Sequence, residues 1–179
     1  MPEPVKYFGK FRGSVVCNRD PLKMGRIQAQ VPDVLGSTPS SWAMPAVPLA
    51  GPQVAHYVIP PVGAGIWVEF EHGDKSFPIW TGCWWGSQEE VPASALAGDL
   101  SLPNIVLQAQ GEPLNGQPQG GPTVIISGLP GGPGITLKTP GGASLVINDT
   151  GIVLDNGKGA SISLIGSTVT INDGALTVT

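Results

Sequence analysis

Charge, cysteine and histidine are all scarce in this 179-residue chain. Charged residues make up 12% of it, about half the ~25% usual for soluble domains. Either the surface is unusually uncharged or much of it is hidden in an assembly. The formal net charge of −4 argues against a phosphate-bearing partner, because nucleic-acid affinity comes largely from Lys and Arg neutralising phosphates. Two cysteines, Cys17 and Cys83, cannot make a disulfide framework. No run of ~18 apolar residues exists, which excludes a membrane-spanning helix. The opening MPEPVKYFGKF lacks an apolar signal-peptide core. What the chain does have is glycine and proline, 26 and 19 residues. With 41% hydrophobic residues, that composition describes a folded, turn-rich protein rather than a disordered one. The length allows one ordinary domain or two small ones.

Aromatic residues divide the chain. All eleven lie between Tyr7 and Trp85, and the 94 residues from Gly86 to Thr179 contain none. Aromatic side chains dominate the cores they enter, so the two parts must build their interiors differently. The Ser, Pro, Gly and acid mixture of Ser87 to Asn104 reads as a linker, with an ALAG patch long enough for one helical turn only. The expected division is 1–86, a first domain; 87–122, a linker leading into a shaft; and 123–179, the shaft.

The first part reads as short strands. Gly9 to Asn18 is apolar and β-branched, and Asp20-Pro21 marks a turn. Ile27, Ala29 and Val31 then alternate with Arg26, Gln28 and Gln30, the period of a half-buried strand. A Pro/Ser-rich excursion covers Leu35 to Gln53. His56 to Asp74 gives a strand, a Pro-Gly turn and a second strand. In that second strand Ile66, Val68 and Phe70 share one face, and Trp67, Glu69 and Glu71 share the other. Ser76 to Gly86 follows a Gly73-Asp74 turn. About five strands with glycine corners predict a small closed Greek-key barrel of the OB type.

The second part is a run of very short strands with glycine corners. They are TVIIS from Thr123, GITLKT from Gly134, ASLVIND from Ala143, GIVLDN from Gly151, ASISLIG from Ala160, STVTIND from Ser167 and GALTVT from Gly174. The apolar pairs are Ile135/Leu137, Leu145/Ile147, Ile152/Leu154, Ile162/Leu164, Val169/Ile171 and Leu176/Val178, with first members 10, 7, 10, 7 and 7 residues apart. Such a period signals a β-solenoid or an intertwined β-helix. One chain of these strands has little core, and its open edges invite pairing. Three chains winding together would bury the pairs along one axis, so these twelve residues are the expected trimer core. The fold class is thus all-β, an OB barrel followed by an intertwined, triangular, trimeric β-helix.

The stretches DPLKMGRIQAQVPDV, YVIPPVGAGIWVEFEHGD and FPIWTGCWWG closely resemble, in this order, the OB-fold domain of contractile-tail spike proteins. This is the baseplate assembly protein V family, which forms the central baseplate spike of contractile phages and related injection systems, type VI secretion included. The likeness covers about Tyr7 to Gly86. ITLKTPGGASLVINDTGIVL is similar to the same family's way into its β-helix. The resemblance implies a barrel joined to a hub and a trimeric shaft pointing at the target membrane. Some relatives carry a lysozyme domain between the two, for which the 36 residues from Ser87 to Pro122 are too few. The barrel begins within about seven residues of Met1, so a hub is expected as a separate protein, as in a phage tail or an extracellular injection particle. Some compact spikes end in a histidine-bound metal, but His56 and His72 both lie in the barrel part, and no tip metal is expected.

Candidate chemistry is sparse. Glu69, Glu71 and Asp74 could serve glycoside hydrolysis, yet they belong to the WVEFEHGD block that the resemblance assigns to structure. His72 beside Glu71 lacks the further convergent ligands a metal needs. GLPGGPG and TPGGAS precede no GK(S/T) and are corners, not phosphate loops. Trp67, Trp80, Trp84 and Trp85, with Arg12, Arg19, Lys23 and Arg26, could stack bases as nucleic-acid-binding OB folds do. Glu69, Glu71, Asp74, Glu89 and Glu90 offset that charge, which favours barrel core and subunit contact. Cys17 and Cys83 are expected as free, buried thiols, since tail assembly takes place in a reducing bacterial cytoplasm.

The expected function is therefore structural: a homotrimeric spike in the tail baseplate of a virion or injection particle, without catalytic residues, cofactor, metal or nucleic acid. It seats on the hub at the end of the tail tube and contacts the target envelope transiently as it pierces. The strand-like pattern runs to Thr179, which suits a separate tip cap of the PAAR type or a trimmed end. The rival readings are a nucleic-acid-binding OB protein and a carbohydrate-active β-helix enzyme of the tail. The latter needs convergent carboxylates, and the shaft offers only Asp149, Asp155 and Asp173.

Overall fold

The computed structural model describes residues 4–99, 101–117 and 119–178; the expectation at Thr179 lies outside them. Two compact units emerge, Met1–Gln88 and Glu89–Thr179, and both are built of strands with short helical turns.

The first unit holds strands β1 (Phe11–Cys17) and β2 (Gln28–Gln30), the single-turn helix α1 (Pro32–Leu35), and strand β3 (Met44–Pro45). A two-residue hairpin follows, β4 (Ala50–Gly51) with β5 (Val54–Ala55), and then the long strands β6 (Gly65–Phe70) and β7 (Pro78–Trp84). The sheet order is β2-β1-β6-β7-β3. The alternation read from the sequence is realised in β6, where Ile66, Val68 and Phe70 are buried and the residues between them are half-buried. A register shift between Trp67 and Val68 adds the local twist that a bulge supplies.

Closure of the barrel comes from a segment that the sequence presents as an excursion. Met44 and Pro45 pair parallel to Ile79 and Trp80 of β7. Just before them, Ala43 bridges Ile27 and Pro39 bridges Gln30. Residues 39–45 therefore join β7 to the β2 side and leave neither edge open. Ser40 is buried at 4% exposure, and its hydroxyl accepts from Ala29 N–H at 3.0 Å and donates to Ser41 C=O at 2.7 Å. The core enclosed is Val15, Ile27, Ala29, Val31, Ala43, Ile66, Val68, Phe70 and Trp80. The strand expected at His56–Ile59 is not formed. Pairing ends one bond past β5, where His56 N–H donates to Leu49 C=O at 2.8 Å, and two prolines follow, neither of which has an N–H for a ladder.

The second unit opens with helix α2 (Ala93–Leu96), a single turn. Eight strands follow: β8 (Ile105–Gln110), β9 (Gly120–Ile126), β10 (Ile135–Lys138), β11 (Ser144–Asn148), β12 (Gly151–Asp155), β13 (Ser161–Ile165), β14 (Thr168–Ile171) and β15 (Leu176–Val178). They form one sheet in strict sequence order, each antiparallel to the next. Strand β8 lies within the stretch read from the sequence as linker. Short turns make the meander. Asn148 Oδ1 accepts from Thr150 N–H at 3.0 Å and Gly151 N–H at 3.3 Å, an Asx turn that competes well with extended backbone. Gly151 sits at φ +154°, where a Cβ would run into the carbonyl of Leu164 on the neighbouring strand. Within one chain the sheet is a meander, because tight turns make consecutive strands each other's nearest partners.

Candidate assembly surface

The register of the eight strands produces two unbroken apolar ladders on one face. The first runs Ile105, Ile126, Ile135, Ile147, Ile152, Leu164, Val169, Val178. The second runs Leu107, Val124, Leu137, Leu145, Leu154, Ile162, Ile171, Leu176. All twelve residues singled out in the sequence lie on this face. Four more join them: Ile105, Leu107, Val124 and Ile126. The sequence hid these four for two reasons. In TVIIS three consecutive apolar residues obscure which parity matters, and β8 stands apart from the repeat.

Neither ladder contains a charged or polar side chain, yet the face is open in the single chain. Central positions such as Ile152 and Ile162 are 36% and 39% exposed, and the outermost Leu107 and Val178 are 65% and 58%. A contiguous apolar face of this length marks an association surface. The other face differs. Its middle ladder passes from Val106, Ile125, Thr136, Val146 and Val153 to Ser163 and Thr170. Beside it run Lys138, Ser144, Asp155 and Ser161. Strand parity places all the polar content of the central strands on that side.

In the barrel the tryptophans are occupied. Trp80 is 6% exposed, and its Nε1–H donates to Gly25 C=O at 3.1 Å. Trp84 Nε1–H donates to Ile66 C=O at 3.1 Å. Arg12 stacks over the rings of both Trp67 and Trp84, at 5.6 and 5.0 Å from their centroids. This packing needs Gly65, whose Cβ would stand 2.7 Å from the Trp84 ring. Of the four tryptophans weighed for base stacking only Trp85 is exposed, so no stacking platform results and the nucleic-acid reading is not favoured.

Asp20 and Arg26 form the barrel's best-enclosed ion pair. Arg26 Nη2 lies 2.6 Å from Asp20 Oδ1, and the two side chains are 17% and 2% exposed. Asp20 Oδ2 also accepts from Met24 N–H at 2.8 Å, and Oδ1 from Leu22 N–H at 3.0 Å. The Arg26 guanidinium holds the Asp20 carboxyl far below the usual carboxylate range; desolvation opposes this, and the backbone donors reinforce it. Arg26 further covers the Trp42 ring at 5.5 Å. Arg26 also lines an open groove of about 390 Å³, together with Trp42, Met44, Phe77, Pro78 and Ile79 and the polar Ser41, Glu71 and Ser76.

The carboxylates considered for hydrolysis are placed apart in role. Glu69 pairs with Lys10 at 2.9 Å. Glu71 does not continue the strand but opens a 3-10 turn, Glu71–Gly73, in which His72 adopts φ +51°. Asp74 caps the following turn by accepting from Ser76 N–H at 2.9 Å. Asp149 and Asp173 sit in turns and Asp155 at the end of β12. No group of three His, Cys, Asp or Glu side chains converges as a metal site among the described residues. Cys17 and Cys83 are both free thiols, but neither is buried as expected: Cys17 is half-buried and Cys83 exposed.

Two families match the chain. Residues 11–85 match the type VI secretion system/phage-baseplate injector OB domain. Residues 114–177 match the phage baseplate V C-terminal trimerisation domain. Among individually characterised proteins no significant match was found. The two domains occur in their family order, the first on the closed barrel and the second on the sheet that bears the apolar ladders. The chain belongs to the phage baseplate V family of baseplate spike proteins, and is a structural, trimer-forming component of a phage tail or secretion-type injector.

Proposed function

We propose that this chain is the central spike itself, a homotrimer that seats on a separate hub protein through its barrels and pierces the target envelope with its shaft. The division is 1–86 for the barrel, 87–122 for the linker leading into the shaft and 123–179 for the shaft, with strand β8 of the middle segment paired onto the shaft's sheet. One observation carries the reading: two continuous apolar ladders, eight residues each, on one face of a sheet, while the polar side chains of its central strands all lie on the other. Three such faces turned inward bury the ladders around one axis as a triangular prism, with Ile135 to Val178 as its core. Backbone hydrogen bonding across every strand makes the shaft stiff along the direction of thrust. Seven spacings at ~4.8 Å give a shaft of roughly 34 Å. That is short for a piercing device, which favours a PAAR-type cap on its tip. Assembly takes place in the producing bacterium's cytoplasm.

The test uses whole particles. Carrying Ile162→Asp, they should fail to release potassium from target cells, because the charge enters the core three times. Particles with Ser161→Asp, one residue away on the polar face, should act like wild type. Full potassium release by the Ile162→Asp particle would remove the piercing role from the shaft.

A further inference from the structure

The barrel bears two apolar surfaces that its own core does not use. The first is an arm of residues 49–62 that includes the β4–β5 hairpin, with Leu49, Val54, Tyr57, Val58 and Val62 between 50% and 62% exposed. It lies within 35 consecutive residues, Val34 to Val68, that include no Asp, Glu, Lys or Arg. The second is the groove walled by Trp42, Met44, Phe77, Pro78 and Ile79, in which Phe77 is 58% and Met44 43% exposed. The two are distinct. Pro45 turns toward Gly25 and Tyr57, since a Cβ on Gly25 would meet Pro45 at 3.7 Å and Tyr57 at 3.6 Å. Met44, its neighbour in β3, points the other way and lines the groove.

We infer that the arm of one copy docks into the Trp42–Phe77 groove of the next copy, so that three barrels close into a ring. The inference rests on the trimer. Under threefold symmetry a surface cannot meet itself across a pairwise contact, and each copy must offer two different, complementary patches. The barrel has such a pair, an exposed apolar hairpin segment and an open groove walled by five apolar side chains beside Arg26, Ser41, Glu71 and Ser76. Arg26 lines the groove, but its charge is already paired with Asp20 and its guanidinium covers the Trp42 ring, and Glu71 is exposed, so neither charge has to be buried unpaired by docking. The contact need not be strong. Chains already joined by a trimerisation domain present the partner patch at ~mM effective concentration.

The experiment is side-chain oxidative footprinting of the purified full-length chain, with its mass measured in parallel. In the trimer Tyr57 and Phe77 should both be labelled several-fold more slowly than Phe8, which is 73% exposed. Val58→Asp should keep the trimer mass and return Phe77 of the neighbouring copy to rapid labelling. Tyr57→Ser should do the same, and tryptophan fluorescence should report an intact barrel in both. A trimer in which Tyr57 or Phe77 labels as fast as Phe8 overturns the docking and leaves the trimer standing. So does Phe77 protection that survives both substitutions. A full-length chain that is not trimeric overturns both.

Discussion

Asp20 holds the turn before β2 together by accepting from three backbone N–H groups and a guanidinium. Its folded-state pKa lies far below the unfolded value of ~3.9, chiefly through Arg26. The stability it contributes is therefore full above about pH 4, the unfolded-state value, and fades as pH falls toward the folded-state value. Asp20→Asn should lower the urea midpoint at pH 7, and its gap from wild type should shrink steadily below about pH 4. All five tryptophans lie in the barrel unit, so their fluorescence reads this transition alone. Ser40 makes a second, independent case. Removing its hydroxyl leaves the N–H of fully buried Ala29 without that acceptor, a loss of about 1–3 kcal/mol. Ser40→Ala should shift the same fluorescence transition by that amount at every pH, with no acid dependence.

Strand β8 gains its meaning from register. Leu107 pairs with Val124, which pairs with Leu137, and so extends the second ladder to the first strand of the sheet. Leu107→Asp should weaken the trimer, and Gln108→Asp, on the polar face, should not; sedimentation velocity across a dilution series separates them. At this scale the sequence was only partly legible. The i, i+2 apolar pairs of the shaft and the Ile66, Val68, Phe70 stripe follow from alternation alone, because each such strand buries one face. The barrel's closing segment did not. Pro39 and Pro45 interrupt its pattern, and it joins its neighbours by short bridges and one buried serine hydroxyl rather than by a long ladder. The arm likewise carries apolar residues without a core to receive them, so periodicity assigned a strand to His56–Ile59 where none forms. For the assembly surface the sequence yielded the last six strands, β10 to β15. The antiparallel pairings that link Val124 and Ile126 to them became visible only with the turns in place.

The two units solve the problem of a small interior in different ways. The barrel encloses aromatic and β-branched side chains within one chain. The second unit has almost no enclosed core: among the described residues its buried apolar side chain is Ile125, with Thr123 and Thr136 beside it. Its large side chains remain open on one face, so its stability must come from other copies. The account thus places the trimer's cohesion in the sheet, with barrel contacts secondary and effective only when tethered. Mass measurement at micromolar concentration tests this most directly, on the full chain, on Ile162→Asp, on Ser161→Asp and on a chain ending at Gln88. The account predicts a trimer for the full chain and for Ser161→Asp, since burying an unpaired carboxylate costs several kcal/mol per copy only at position 162. Ile162→Asp and the barrel alone should run as monomers. A barrel that stays a tight trimer without the sheet, or a trimer that persists in Ile162→Asp while Ser161→Asp dissociates, would contradict it.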